Sequence, residues 1–203
     1  METVKFSQSR LLGRLKQLSI PGLFLSSDYI TPAEENLLLD HIDKKPWINQ
    51  YQRRIQIYGR DYRSGLENNV FEGLSGPLAY LANYLAEDKI IISPNQCVVN
   101  EYTRKQGIGA HTDNENVGYV IAGISLGGAA NIIFSRPGYE SVKVFLPQRS
   151  IFIMLGDARW LWKHEIPRIV SYTDDLGIRH IKSEDYRRVS ITYREIPSGP
   201  PPE

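Results

Sequence analysis

His111 and Asp113 stand two positions apart, following the apolar run that ends at Tyr102. In an extended segment, residues i and i+2 point to the same side, so this imidazole and this carboxylate reach one metal ion together. A third donor, His164, lies far downstream within the run from Trp160 to Ile166, which also reads as a strand. Two histidines and one carboxylate leave coordination positions open on a divalent ion, the donor set of non-haem Fe(II) sites that activate O2. The pattern alone does not separate such a site from solvent-facing or structurally satisfied histidines. His41 and His180, which fall outside this spacing, show that a histidine by itself is no guide.

The run from Arg188 to Arg194 carries the context. Arg188, Ser190, Thr192 and Arg194 alternate with Val189, Ile191 and Tyr193, so one face of a strand bears two guanidiniums and two hydroxyls. Leaving a buried charge without its partner costs roughly 3–5 kcal/mol, so arginines on an inward face require anions. Guanidinium binds carboxylate in a bidentate fork. A dicarboxylate cosubstrate together with the Asp113 carboxylate would satisfy both arginines. On an edge strand the same two side chains would face water.

These residues need a scaffold that brings distant strands face to face. From Gln96 onward the chain reads as short β-runs between turns: residues 97–102, 119–126, 131–135, 141–147, 150–155 and 187–196. That spacing, with no helical pattern between the runs, indicates a sandwich, jelly roll or barrel. The first half supplies helices. Thr31, Pro32 and Glu34 form a capping-box signature ahead of Leu37 and Leu38, and Leu78, Leu81, Ala82 and Leu85 share one helical face. Between them, residues 50–62 alternate as a strand interrupted at Gly59.

Five motifs, in this order, resemble the AlkB family of Fe(II)/2-oxoglutarate dioxygenases: Asn100 with Tyr102, His111 to Glu115, Ile124 to Gly127, Gly156 to His164, and Arg188 to Arg194. The match runs over about residues 96–195, and Gln52 to Gly59 is similar to that family's substrate-lid strand. The resemblance implies a mainly β fold with supporting helices and a double-stranded β-helix (jelly-roll) core. It implies iron held by His111, Asp113 and His164, and 2-oxoglutarate held by Asn100, Tyr102, Arg188, Thr192 and Arg194. Ser190 joins the cosubstrate face, standing where several relatives have asparagine. The implied reaction is oxidative demethylation of N-alkylated bases in DNA or RNA, consuming O2 and releasing formaldehyde, succinate and CO2. Hydroxylation of a modified tRNA base, or of a protein or small molecule, is the alternative. The tRNA reading loses ground because 203 residues leave no room for an appended RNA-binding or methyltransferase domain.

Substrate recognition is expected from Arg53 and Arg54 on phosphates, from Tyr58 and Tyr62 stacking on a flipped base, and from Glu115, whose charge would favour cationic 1-methyladenine and 3-methylcytosine. Trp47 reads as a packing residue. Asp157 and Arg159 are expected to pair and to stiffen the approach to His164, and Trp160 and Trp162 to wall its face.

Composition sets the outer bounds. The 203 residues carry 24 Lys and Arg against 23 Asp and Glu, with 41% hydrophobic and 23% charged residues, which describes one ordinary globular domain and excludes a disordered or collagen-like chain. The parts are a helical support and basic arm (1–50), a lid strand and helix (51–95), the jelly-roll core (96–196) and a flexible tail (197–203). A net charge of +1 hides basic clusters in residues 1–20 and 50–63 and an acidic stretch over 64–103, so overall neutrality does not exclude a nucleic-acid partner. Cys97 stands alone and forms no intramolecular disulfide. No stretch reaches the ~20 apolar residues of a membrane helix, and the N-terminus lacks a secretory apolar core. The expectation is an intracellular monomer, in cytoplasm or nucleus.

Overall fold

The computed structural model describes residues 14–49, 52–60 and 72–197, so most of the basic arm, Tyr62 and nearly all of the expected tail lie outside the described residues. In chain order the elements are β1 (Lys16–Gln17), β2 (Leu23–Ser26), α1 (Pro32–Asp43), β3 (Ile55–Gly59), α2 (Gly76–Glu87), β4 (Gln96–Thr103), β5 (Ile108–His111), β6 (Ile121–Leu126), β7 (Ala130–Ser135), β8 (Val142–Leu146), β9 (Ile151–Met154), α3 (Gly156–Trp160), β10 (Lys163–Ile166), β11 (Ser171–Thr173), β12 (Arg179–Ile181) and β13 (Arg187–Arg194). A seven-stranded sheet runs β1-β2-β9-β6-β13-β4-β3, and a four-stranded sheet runs β5-β10-β7-β8. β11 and β12 form a separate hairpin. These two sheets are the double-stranded β-helix.

Alternation along β13 assigns the two faces of the large sheet. Val189, Ile191 and Tyr193 pack outward into a core with Leu38 and Ile42 of α1 and Leu78, Leu81 and Leu85 of α2. The intervening side chains of β13 point inward, toward the small sheet. A second apolar cluster lies there, including Ile121, Phe134, Leu146, Met154, Trp162 and Ile166. The sheet is thus buried on both faces, one by helices and one by strands, and only the inward face meets the polar residues of the site.

The helices form where local chemistry satisfies their first N–H groups. Thr31 accepts from the Glu34 amide at 3.3 Å, while Glu34 Oε2 accepts from the Thr31 amide at 2.7 Å, a complete capping box. Pro32 occupies the first turn, where its missing N–H costs nothing. α2 buries Leu78, Leu81, Ala82 and Leu85, the face read from the sequence. No helix among the described residues is long and apolar enough to cross a membrane.

Two expectations are corrected. The run from Trp160 to Ile166 is not strand throughout: Gly156 adopts φ +51, α3 follows, and β10 begins only at Lys163. Trp160 and Trp162 therefore do not share a face, the first being 40% exposed and the second buried. The strand expected over residues 50–62 is confined to β3 among the described residues. It ends at Gly59, whose φ is +80 and where a Cβ would fall 2.0 Å from the Asn95 carbonyl oxygen, so the position admits no side chain.

Candidate active site

β5 and β10 pair antiparallel with His164 opposite His111, which explains how two histidines distant in sequence become neighbours. Their ring centroids lie 4.4 Å apart. Asp113 lies two residues beyond the end of β5, and one ligand atom from each of His111, Asp113 and His164 falls within 4.8 Å of the others. The Nδ1 of His111 lies 2.8 Å from the Gly109 carbonyl, so a proton there would leave Nε2 as the free donor.

Charge states suit a divalent ion. Burial alone would raise the pKa of Asp113, but Arg194 first, then His164 and His111, outweigh it and hold the carboxyl below its ordinary range. Burial holds His164 down at about 4, with Asp113 opposing. At neutral pH the carboxylate is therefore ionised and the imidazole neutral, the forms in which both bind metal. The three residues fit Fe(II) by donor type, charge and spacing.

The triad opens into a cavity of about 430 Å³ between the sheets. All four inward residues of β13, Arg188, Ser190, Thr192 and Arg194, line it, as do Asn100 and Tyr102 of β4. Register explains the grouping, because Arg188 pairs with Tyr102 and Ser190 with Asn100 across the two strands. Arg188 is 1% exposed, donates from Nη2 to Ser125 Oγ at 2.8 Å and lies 5.5 Å from the Tyr102 ring centre. Its Nε has no hydrogen-bond partner among the described residues. A buried guanidinium with an unmatched donor calls for an anion, and 2-oxoglutarate supplies a carboxylate.

The structure separates the expected substrate residues. Arg53 lines the cavity and donates from Nε to Asn100 Oδ1 at 2.8 Å. Arg54 turns the other way, onto Glu101 through both Nε and Nη2 and over the Trp47 ring at 4.6 Å. Glu101 also accepts from Arg187, which in turn pairs with Asp43, so Arg54 belongs to an ion-pair network beside the sheet. Tyr58 is 3% exposed, donates to Gln56 Oε1 and packs in the helix-side core, so it is not brought to the cavity. Glu115 is exposed on the turn after Asp113 and is not among the cavity-lining residues.

The expected Asp157–Arg159 pair does not form. Asp157 lies 3.6 Å from Arg136, while Arg159, 2% exposed, reaches four backbone carbonyls. These belong to Asp113, Asn114, Val117 and Gly118, at 3.2, 2.7, 3.0 and 3.3 Å. One guanidinium thus clamps the loop carrying Asp113 to the segment leading into His164. Sequence reasoning also missed Ser125 and Gln96. The period of two along β4 signals the latter, because Gln96 shares the face of Asn100 and Tyr102.

Fold and donor set together define an Fe(II) oxygenase built on a double-stranded β-helix. Residues 48–194 match the family model of the 2OG-Fe(II) oxygenase superfamily, and the chain belongs to that superfamily, in its AlkB-like branch. Its cofactors are accordingly Fe(II) and 2-oxoglutarate. An uncharacterised protein of Acanthamoeba polyphaga mimivirus is 36% identical over 90% of this chain and 88% of its own length. The Arabidopsis thaliana alkylated DNA repair protein ALKBH8 homolog is 31% identical over 91% of this chain and 61% of its own length. The tRNA (carboxymethyluridine(34)-5-O)-methyltransferase alkbh8 of Xenopus tropicalis is 29% identical, and this chain spans 32% of it. The solved structure of OsALKBH1 superposes with a TM-score of 0.67 over 89% of this chain and 99% of its own, at 16% identity, a likeness of fold.

Proposed function

We propose that the protein oxidises an alkyl substituent on a nucleobase of DNA or RNA. The observation that carries this reading is the single cavity in which the triad, the buried Arg188 and the lid-strand residues Arg53, Ile55 and Ile57 meet. His111, Asp113 and His164 would hold the iron. Arg188, with Tyr102 beside it, would bind the distal carboxylate of 2-oxoglutarate, and Asn100, Ser190, Thr192 and Arg194 would line the rest of its path. Bound together, iron and 2-oxoglutarate supply oxidation of a C–H bond coupled to release of succinate and CO2. The chain's own residues keep Asp113 ionised through Arg194, present His164 uncharged, and exclude water with Ile121, Ile132, Leu146, Phe152 and Met154.

The position of the oxidised carbon decides the outcome. Hydroxylation of an N-methyl group gives a hemiaminal that releases formaldehyde and restores the base, whereas a hydroxyl on a C-linked substituent stays. The second outcome gains support from the relatives named for tRNA modification, and the first from those named for repair of alkylated DNA. A panel of N-methylated oligonucleotides and of tRNA carrying modified uridines, assayed for succinate and formaldehyde, tests both. Succinate release that depends on nucleic acid supports the proposal, and accompanying formaldehyde identifies demethylation. Succinate release indifferent to every nucleic acid offered would overturn it.

A further inference from the structure

Four inward residues of β4 line the cavity in a row: Gln96, Val98, Asn100 and Tyr102. Tyr102 stands opposite Arg188 and Gln96 opposite Arg194, so the row runs from the buried anion-binding end to the end where Arg194 holds the metal ligand Asp113. From that end Arg194 reaches onto Asp113, whereas Gln96 turns the other way, toward the chain leaving the lid strand β3. Gln96 therefore stands on the lid side of the cavity, apart from the path given above to the cosubstrate.

Gln96 is 1% exposed, and its Nε2 donates to the Arg60 carbonyl at 2.7 Å. That bond fixes the orientation of the amide, because a carbonyl accepts only from the NH2 side. The left-handed Gly59 opposite Gln96 turns the chain so that this carbonyl reaches it. Oε1 is thereby left buried with no hydrogen-bond partner among the described residues. Ile57 and Val98, paired across β3 and β4, line the cavity beside it as apolar wall. Among the described lining residues Asp113 is the sole carboxylate, and Arg194 and the other two triad residues engage it, so the described residues beside Gln96 offer a neutral acceptor and no counter-charge for a cation.

Resting on the nucleobase reading above, we infer that Gln96 is a specificity-determining residue whose Oε1 accepts an N–H from the Watson–Crick edge of a neutral base. A base lacking that N–H leaves the acceptor unmet, which lowers affinity by about tenfold.

The test uses the full chain with Fe(II) and 2-oxoglutarate under anaerobic conditions, where binding proceeds without oxidation. Short single-stranded RNAs differing at one base provide two matched pairs, uridine against 3-methyluridine and adenosine against N6-dimethyladenosine, read by fluorescence anisotropy. The wild-type protein is expected to bind the N–H member about tenfold more tightly in at least one pair, and Gln96→Met to lose that preference by weakening the N–H member alone. The wild-type comparison stands without the variant. Equal binding within both pairs overturns the inference, as does a preference that survives in Gln96→Met. So does equal weakening of both members, which would make Gln96 a support for Arg194. Failure of every RNA, and of single-stranded DNAs carrying the matching base pairs, to bind would instead remove the nucleobase reading and this inference with it.

Discussion

Arg194 donates from Nη2 to Oδ1 of Asp113 at 2.6 Å, and the other carboxylate oxygen faces His164 Nε2 at 3.8 Å. The guanidinium therefore occupies one oxygen and turns the second toward the ion site, so Arg194 acts on the metal through Asp113. Asp113→Ala is expected to abolish iron retention and 2-oxoglutarate turnover together. Arg194→Met leaves the carboxylate without its partner and should weaken iron binding about 10–100-fold, the range for lost supporting groups at metal ligands. Iron content and succinate release measured on the same preparations check both.

Arg188→Ala is expected to raise the KM for 2-oxoglutarate far more than that for nucleic acid. The lost group is a fully buried guanidinium whose Nε lacks a protein partner and whose Nη2 is already spent on Ser125. Initial rates at varied 2-oxoglutarate decide it, and an unchanged KM for the cosubstrate would contradict the assignment.

Arg159→Met removes a charge from the centre of four carbonyls and is expected to cost at least about 3 kcal/mol of stability, since each buried acceptor left unmet costs on the order of 1–3 kcal/mol. Because two of those carbonyls belong to Asp113 and Asn114, iron affinity should fall with it. Arg159→Lys, which retains the charge, should recover part of the iron affinity. Thermal unfolding and iron titration separate the two effects.

The triad and the inward face of β13 were legible in the sequence because both depend on strand periodicity, which survives without knowledge of partners. The pairing of His111 with His164 was not, since register between β5 and β10 is set by packing across the whole small sheet. Arg159 was misread for a related reason. Asp157, two residues before it, was the nearest opposite charge in sequence, but a five-residue helix sends the guanidinium inward to carbonyls that carry no sequence signal. Tyr58 and Arg54 were placed by residue type on the lid strand. Alternation about Ile55 and Ile57, the residues that line the cavity, puts Tyr58 on the opposite face of β3.

Arg53 and Arg54 should therefore part company on mutation. Arg54→Ala is expected to cost about 1 kcal/mol of stability, the modest value for a pair whose arginine is 43% exposed. Burial would raise the pKa of Glu101, but its bonds to Arg54 and Arg187 outweigh this and hold it low. A depressed carboxyl pKa stabilises the fold above its ordinary value of 4.5 and loses that contribution as pH falls further, so the difference between wild type and Arg54→Ala should shrink on acidification. Arg53→Ala, which removes a cavity residue bonded to Asn100, should lower turnover instead. Denaturation at several pH values and steady-state rates distinguish the pair.

Glu115→Gln is expected to leave the ratio of turnover between cationic and neutral methylated bases unchanged within about twofold. In bulk water two charges 4 Å apart interact by about 1 kcal/mol, and salt screens exposed pairs with a Debye length of about 8 Å, so a carboxylate outside the cavity discriminates weakly. Glu115 is exposed, and its turn is held by a bond from the Asn116 amide to Asn114 Oδ1 at 2.8 Å that does not involve its side chain. Competition between 1-methyladenine and neutral N6-methyladenine in one oligonucleotide mixture measures the ratio directly. A selective loss of the cationic substrate in Glu115→Gln would mean that the turn moves Glu115 into the cavity when nucleic acid binds, and the charge preference would then reside there.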